Sequence, residues 1–229
     1  MTAFVLGATG FVGREVVRQL CVRGVRTVAH VRPDSSSLEA WRTRFAALGA
    51  AVDTTAWEET ALTARLRELT PAQLYVLIGT TRAKAKIDRV DGDIYEAVDL
   101  RLTQLAVTAA RASETRPRIV FLSSVGAARG ARSPYLRARG KAEDVVTGSG
   151  LPWVIARPSF IIGDRDEARR GERGAALVGD SLLAVAGAFG GKQVRDKYSS
   201  TTPDVLASAL IRIAEAPEHD RIAEGGALR

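Results

Sequence analysis

Short, almost continuously apolar runs recur along the chain at Ala3–Leu6, Thr27–Val31, Leu74–Ile78, Ile119–Leu122 and Trp153–Ala156. Runs this short, without polar alternation, predict strands buried on both faces of a parallel sheet. A weaker run, Ala50–Val52, ends at Asp53. Helical spacing fills the intervals. Val12, Val16 and Leu20 recur four apart, and Ile94, Val98, Leu102, Leu105 and Ala109 form a longer stripe. Ala138, Ala142, Val145 and Val146 form another. Thr202 and Pro203 predict a last helix, with threonine as its cap and proline at its first position. Such alternation predicts a single α/β domain over 1–229. It would be a Rossmann-type, doubly wound, mostly parallel sheet with helices on both faces and right-handed crossovers. After Pro158 the pattern changes. The segment "SFIIGDRDEARRGERG" reads as a polar loop and Ala175–Phe189 as an apolar helix, so about 159–192 is expected to form a substrate-side loop and helix.

Composition narrows the class without naming a function. The 229 residues suffice for a full core, and 26% charged with 46% hydrophobic residues is ordinary for a globular chain. No run approaches the twenty apolar residues of a membrane span, so no membrane partner is expected. The start, "MTAFVLGATG", lacks a basic segment followed by a long apolar one; a secretory signal is not expected, and a cytoplasmic location is. Cys21 is the only cysteine and sits beside Val17 and Leu20, which predicts a core position rather than a nucleophile. The net charge of +7 and pI near 10.1 raise the question of nucleic acid. The positive charge is mostly arginine spread along the chain. Its densest cluster, Arg129, Arg132, Arg137, Arg139 and Lys141, reads as a solvated basic face, and no nucleic-acid partner is expected.

The chemistry begins at "FVLGATGFVG", with Gly7, Gly10 and Gly13 between the first strand and the first helix. In that context Gly7 permits a tight turn and Gly10 a close approach of backbone to a diphosphate. Gly13 permits close helix–strand packing, and the helix start offers N–H groups to the phosphates. The second strand ends at "VAHVRPDSSS", which puts Arg32 nineteen residues past Gly13. A guanidinium there can fork onto a phosphate monoester, so NADP(H) is preferred over NAD(H). Asp34 follows only after Pro33, beyond the expected strand end.

"GATGFVG" resembles the atypical and extended branches of the short-chain dehydrogenase/reductase superfamily. "IGTTRAKA" (Ile78–Ala85), "FLSSVGA" (Phe121–Ala127), "YLRARGKAE" (Tyr135–Glu143) and "RPSFIIGDRDEARRGE" (Arg157–Glu172) are similar to its Tat-interacting-protein oxidoreductase-like branch, a relative of the NmrA-like and sugar-epimerase-like proteins. The likeness runs from about Thr2 to the helix near Ala214. It implies a Rossmann fold, NADPH binding and, in many members, carbonyl reduction. It also implies a cofactor wall of Thr9, Phe11 and Val12 at the glycine turn, Gly79, Thr80 and Thr81 after the fourth strand, Asp53 near adenine, and Pro158 to Phe160 beside nicotinamide.

The superfamily's chemistry, carried over, makes Tyr135 the general acid and Ser124 the residue that orients the carbonyl; Ser123 points to the opposite face. The lysine usual four residues after the tyrosine is replaced by Arg139. Lys141 lies six residues on, about 120° around a helix rather than about 40°, and does not simply substitute. Arg139 can supply positive charge and bonds to ribose but no proton. Three functions follow. The leading one is an NADPH-dependent reductase of a small carbonyl-type substrate. The alternative is a non-catalytic NADP(H)-binding redox sensor with a protein partner. The third, a sugar-nucleotide epimerase, requires a larger region after Pro158. Arg165, Arg169 and Arg170 are expected to pair with Asp164, Asp166, Glu167 and Glu172 rather than bind an anionic substrate. The trio Trp41, Trp57 and Trp153 reads as packing. A monomer and a homodimer both remain open, with the Ile94–Ala109 and Tyr135–Val146 helices as dimer faces by analogy.

Overall fold

The computed structural model describes residues 1–79, 93–159, 161–162 and 201–229. Seven strands form one parallel sheet: β1 (Thr2–Leu6), β2 (Arg26–His30), β3 (Ala51–Asp53), β4 (Gln73–Val76), β5 (Arg118–Leu122), β6 (Trp153–Arg157) and β7 (Arg221–Glu224). Their order is β3-β2-β1-β4-β5-β6-β7, so the winding reverses between β1 and β4. The five apolar runs and the Ala50–Val52 run all coincide with strands, shifted by no more than two residues at an end. Strand β7 goes beyond the expectation. It is a short edge strand whose charged ends mask its pattern.

Alternation along the strands sorts the core into two layers. Ala3 and Val5 face one side of the sheet, where Val16 and Leu20 of α1 (Phe11–Val22), Phe45 of α2 (Leu38–Ala47) and Leu206 and Leu210 of α6 (Pro203–Glu215) close the layer. Phe4 and Leu6 face the other side. There Leu62 and Leu66 of α3 (Glu59–Leu69), Ala106 and Ala110 of α4 (Arg101–Ala112) and Ala142 and Val146 of α5 (Pro134–Thr147) cover them. Each fully buried Leu or Val contributes about 1.5–3 kcal/mol. Thr202 stands at the cap of α6 and Pro203 opens it, as predicted, although the threonine carbonyl, not its hydroxyl, makes the bond to Leu206 N–H at 3.0 Å.

The stripe expected over Ile94–Ala109 differs in phase. A π-helix at Tyr95–Leu100 precedes α4, and the fully buried positions are Asp99, Leu100, Thr103, Ala106, Val107, Ala109 and Ala110. Val98, Leu102 and Leu105 lie at the margin of that face. The buried stripe is made of small residues one position on from Leu102 and Leu105, so the larger apolar side chains mark the rim of the face and not its centre.

Candidate active site

The glycine turn lies in the crevice where the winding reverses. Gly7 has φ +82°, and a β-carbon on it would stand 2.6 Å from the Leu77 carbonyl oxygen just past β4. The turn is pressed against the neighbouring strand end and tolerates only glycine. A β-carbon on Gly13 would lie 2.1 Å from the Gly7 oxygen, so α1 rests directly on the turn. Gly10 donates to the Gly7 carbonyl at 2.9 Å and caps α1 without a side chain. No acid occupies the first turn, which leaves its N–H groups and partial positive charge directed at this crevice. Val12 is buried behind the turn, Thr9 is half-buried, and Phe11 lies under the Arg14 guanidinium at 5.9 Å. This backbone cradle fits a dinucleotide diphosphate.

At the end of β2, Arg32 is half-buried, with its Nε 3.7 Å from Asp34. Asp53 is buried at the end of β3. Its carboxylate accepts Thr55 N–H at 3.0 Å and Arg65 Nε at 2.5 Å, tying the end of β3 to α3. An adenine amino group would have to share the carboxylate with both.

Ser123 and Ser124 follow β5 and diverge. Ser123 Oγ is buried and donates to Glu143 Oε1 at 2.5 Å. Glu143 in turn holds Arg157 through two bonds, at 2.8 and 2.5 Å, and Arg157 reaches Glu224 at 3.1 Å. These bonds to Glu143 above all, opposed by burial, raise the Arg157 pKa above the ordinary guanidinium value. Ser123 therefore belongs to a polar tie between α5, β6 and β7, whereas Ser124 is half-buried, its Oγ 3.4 Å from the Val125 carbonyl oxygen.

Tyr135 lies in the first turn of α5, half-buried, edge-on to Tyr95 with ring centroids 5.3 Å apart. The Arg139 guanidinium sits 5.3 Å from the Tyr135 ring centroid and 5.8 Å from that of Phe121. Arg139 is buried. Its Nη1 donates to the Leu122 carbonyl at 3.0 Å, and its Nη2 donates to the Ile78 carbonyl and to Asp99 Oδ2, both at 2.9 Å. It thus bridges the carboxyl ends of β4 and β5, and its Nη2 lies 3.1 Å from where a Gly79 β-carbon would be. Burial opposes the charge, but the Tyr135 phenol and the Asp99 carboxylate outweigh it and raise the arginine's pKa. The Nε is buried without a partner.

Lys141 points elsewhere, its Nζ 2.5 Å from Glu96 Oε1. Arg137 approaches Asp93 at 3.9 Å and Arg129 pairs with Asp144. The expected solvated basic face is therefore largely neutralised, because acids on the π-turn and on α5 meet it. Asp99 was missed by sequence reasoning. Its only local signal is an acid three residues after Glu96 and six after Asp93. Pro158 is buried, its carbonyl accepting Val125 N–H at 3.0 Å. Thr80, Thr81, Phe160, the loop arginines and acids and the Ala175–Phe189 helix lie outside the described residues. Cys21 is half-buried against the core, and burial raises its thiol pKa.

A family model described as NAD(P)H-binding matches residues 7–183, most of the chain and all of the glycine turn. The chain belongs to this NAD(P)H-binding family. Similar curated relatives include the mitochondrial protein fmp52-1 of Aspergillus terreus, 30% identical over 217 residues, 90% of this chain and 84% of that one. Another is the mitochondrial fmp52 of Aspergillus clavatus, 32% identical over 218 residues, 90% and 83%. Their names overturn the expected cytoplasmic location. An opening segment without a secretory pattern does not distinguish among the other compartments. Solved structures share the fold of this NAD(P)H-binding chain. Triphenylmethane reductase from Citrobacter sp., complexed with NADP(H), has TM-score 0.63 at 17% identity, covering 99% of this chain and 70% of that chain. UDP-glucose 4-epimerase from Thermus thermophilus, complexed with NAD, has TM-score 0.65 at 18%, covering 97% and 76%.

Proposed function

We propose that this protein is an NADPH-dependent reductase of a small carbonyl-type substrate. The observation that carries this reading is the stacking of the half-buried Tyr135 ring on a permanently charged guanidinium, at the sheet edge that also holds the glycine cradle. Gly7, Gly10 and Gly13, with Thr9, Phe11 and Val12, would hold the diphosphate. Arg32 would meet the additional phosphate of NADP(H), and Gly79 and Pro158 would border the nicotinamide side. When bound, the nicotinamide supplies hydride to the carbonyl carbon. Ser124 orients the carbonyl oxygen, and Tyr135 Oη gives it a proton. Arg139 then stabilises the phenolate left behind; it cannot relay a proton, so the proton returns to Tyr135 from water. The names of the relatives support a mitochondrial setting.

One observation favours a second reading, a redox sensor without turnover. Three of the five N–H groups of Arg139 are already engaged by two carbonyls and Asp99, which leaves the buried Nε–H and one Nη1–H for ribose. NADPH oxidation, followed against a panel of aldehydes, ketones and quinones, separates the two. Turnover of one class is expected, with Tyr135→Phe losing it while NADPH affinity stays within about twofold. Turnover retained in Tyr135→Phe removes the tyrosine from the mechanism, and tight NADPH binding without turnover selects the sensor.

A further inference from the structure

We propose that Asp99 is a positioning residue that sets the relative affinity of the site for oxidised and reduced nicotinamide, acting through Arg139. The inference rests on the NADP(H) reading above. The oxidised ring carries a positive charge that the reduced ring lacks, so any unbalanced charge near it discriminates between the two forms. Arg139 is an obligatory cation fixed at the carboxyl ends of β4 and β5, beside Gly79. Among the described residues, the groups facing it are the Ile78 and Leu122 carbonyls, the Phe121 and Tyr135 rings, Asp99 from the π-turn and Glu143 one helical turn on. Glu143 is committed to Arg157 and Ser123. Asp99, 1% exposed and in direct contact, is therefore the counter-charge that brings this edge near neutrality. The raised Arg139 pKa reports the same coupling. Asp99 continues the buried stripe of Thr103, Ala106 and Ala110, which aims the acid inward.

Removing the acid's charge while keeping its shape leaves one net positive charge. Unit charges about 10 Å apart at an effective dielectric of about 20 differ in binding on the order of tenfold. NADPH affinity is read from tryptophan fluorescence and NADP+ affinity by competition, for the full chain and its variants. Asp99→Asn should weaken NADP+ relative to NADPH by about tenfold, and Arg139→Gln should shift the ratio the opposite way. The uncharged pair Asp99→Leu with Arg139→Met should return the ratio to within about twofold of the parent. If Asp99→Asn does not fold, Arg139→Gln carries the test through its opposite sign. Equal movement of both affinities, or an unmoved ratio in the folded single variants, overturns the role of Asp99. Failure of the parent chain to bind NADPH at all overturns the functional reading instead.

Discussion

Gly140→Ala pits helix propensity against packing, and the two forecast opposite signs. Gly140 lies inside α5, where alanine ordinarily stabilises by about 1 kcal/mol. Here the added methyl would stand 2.4 Å from the Ala128 carbonyl carbon and 2.7 Å from its Cα and N. All three are backbone atoms of the turn after Ser124, so no side chain can swing away. Relief requires the turn and the helix to part by roughly 1 Å, an overpacking cost of about 1–3 kcal/mol. The same movement stretches the bond from Ala128 N–H to the Leu136 carbonyl, 3.3 Å in the parent, worth about 0.5–1.5 kcal/mol. Set against the propensity gain, the net loss is about 1–3 kcal/mol, or a fall in Tm of about 3–10 °C for a chain of this size. Gly130→Ala is the control: its β-carbon meets nothing within 4 Å, and its stability should change by less than about 0.5 kcal/mol. Thermal and urea unfolding monitored by circular dichroism measure both. A Gly140→Ala protein as stable as the parent, or more so, would refute the close contact.

Two further predictions follow from single residues. Burial lowers the His30 pKa, and its Nε2 lies 2.8 Å from the Thr55 carbonyl oxygen, so the ring is neutral with Nε2 as donor. The unfolded chain then binds the extra proton first. Stability should be flat above about pH 7 and fall as pH drops through about 6.5, and His30→Gln should flatten that slope in urea titrations at about pH 5.5 to 7, above the carboxylate range; an unchanged slope places the loss elsewhere. Arg32→Ala should weaken NADPH about 10- to 100-fold, the worth of a charge-assisted bond, and leave NADH within about twofold; equal losses for both cofactors in fluorescence titrations would remove Arg32 from phosphate recognition.

The strands and the glycine turn were legible because their determinants are local. Buried parallel strands read as apolar runs, and Gly7 must be glycine for reasons of φ that accompany any such turn. The cap of α6 was legible for the same cause. What stayed hidden depends on partners distant in sequence. Gly140 looks like a defect until Ala128 is beside it. Asp53 looks like a ligand until Arg65 reaches it, and the basic cluster looks like a solvated face until Asp93, Glu96, Asp99 and Asp144 meet it. Asp99 was concealed by a phase error. The stripe read on the larger apolar residues Val98, Leu102 and Leu105 stands one position before Asp99, Thr103 and Ala106, which are the ones buried.

The phase of this helix carries a consequence for insertions and deletions. Asp99, Thr103, Ala106 and Ala110 stand four, three and four residues apart and are all buried, so the acid belongs to one α-helical stripe with the face of α4 that packs on the sheet. One residue gained or lost between Asp99 and Thr103 would turn the acid about 100° relative to that face and away from Arg139. The pairing of this buried arginine with its carboxylate is thus erasable by one in-frame genetic step without any change of residue type.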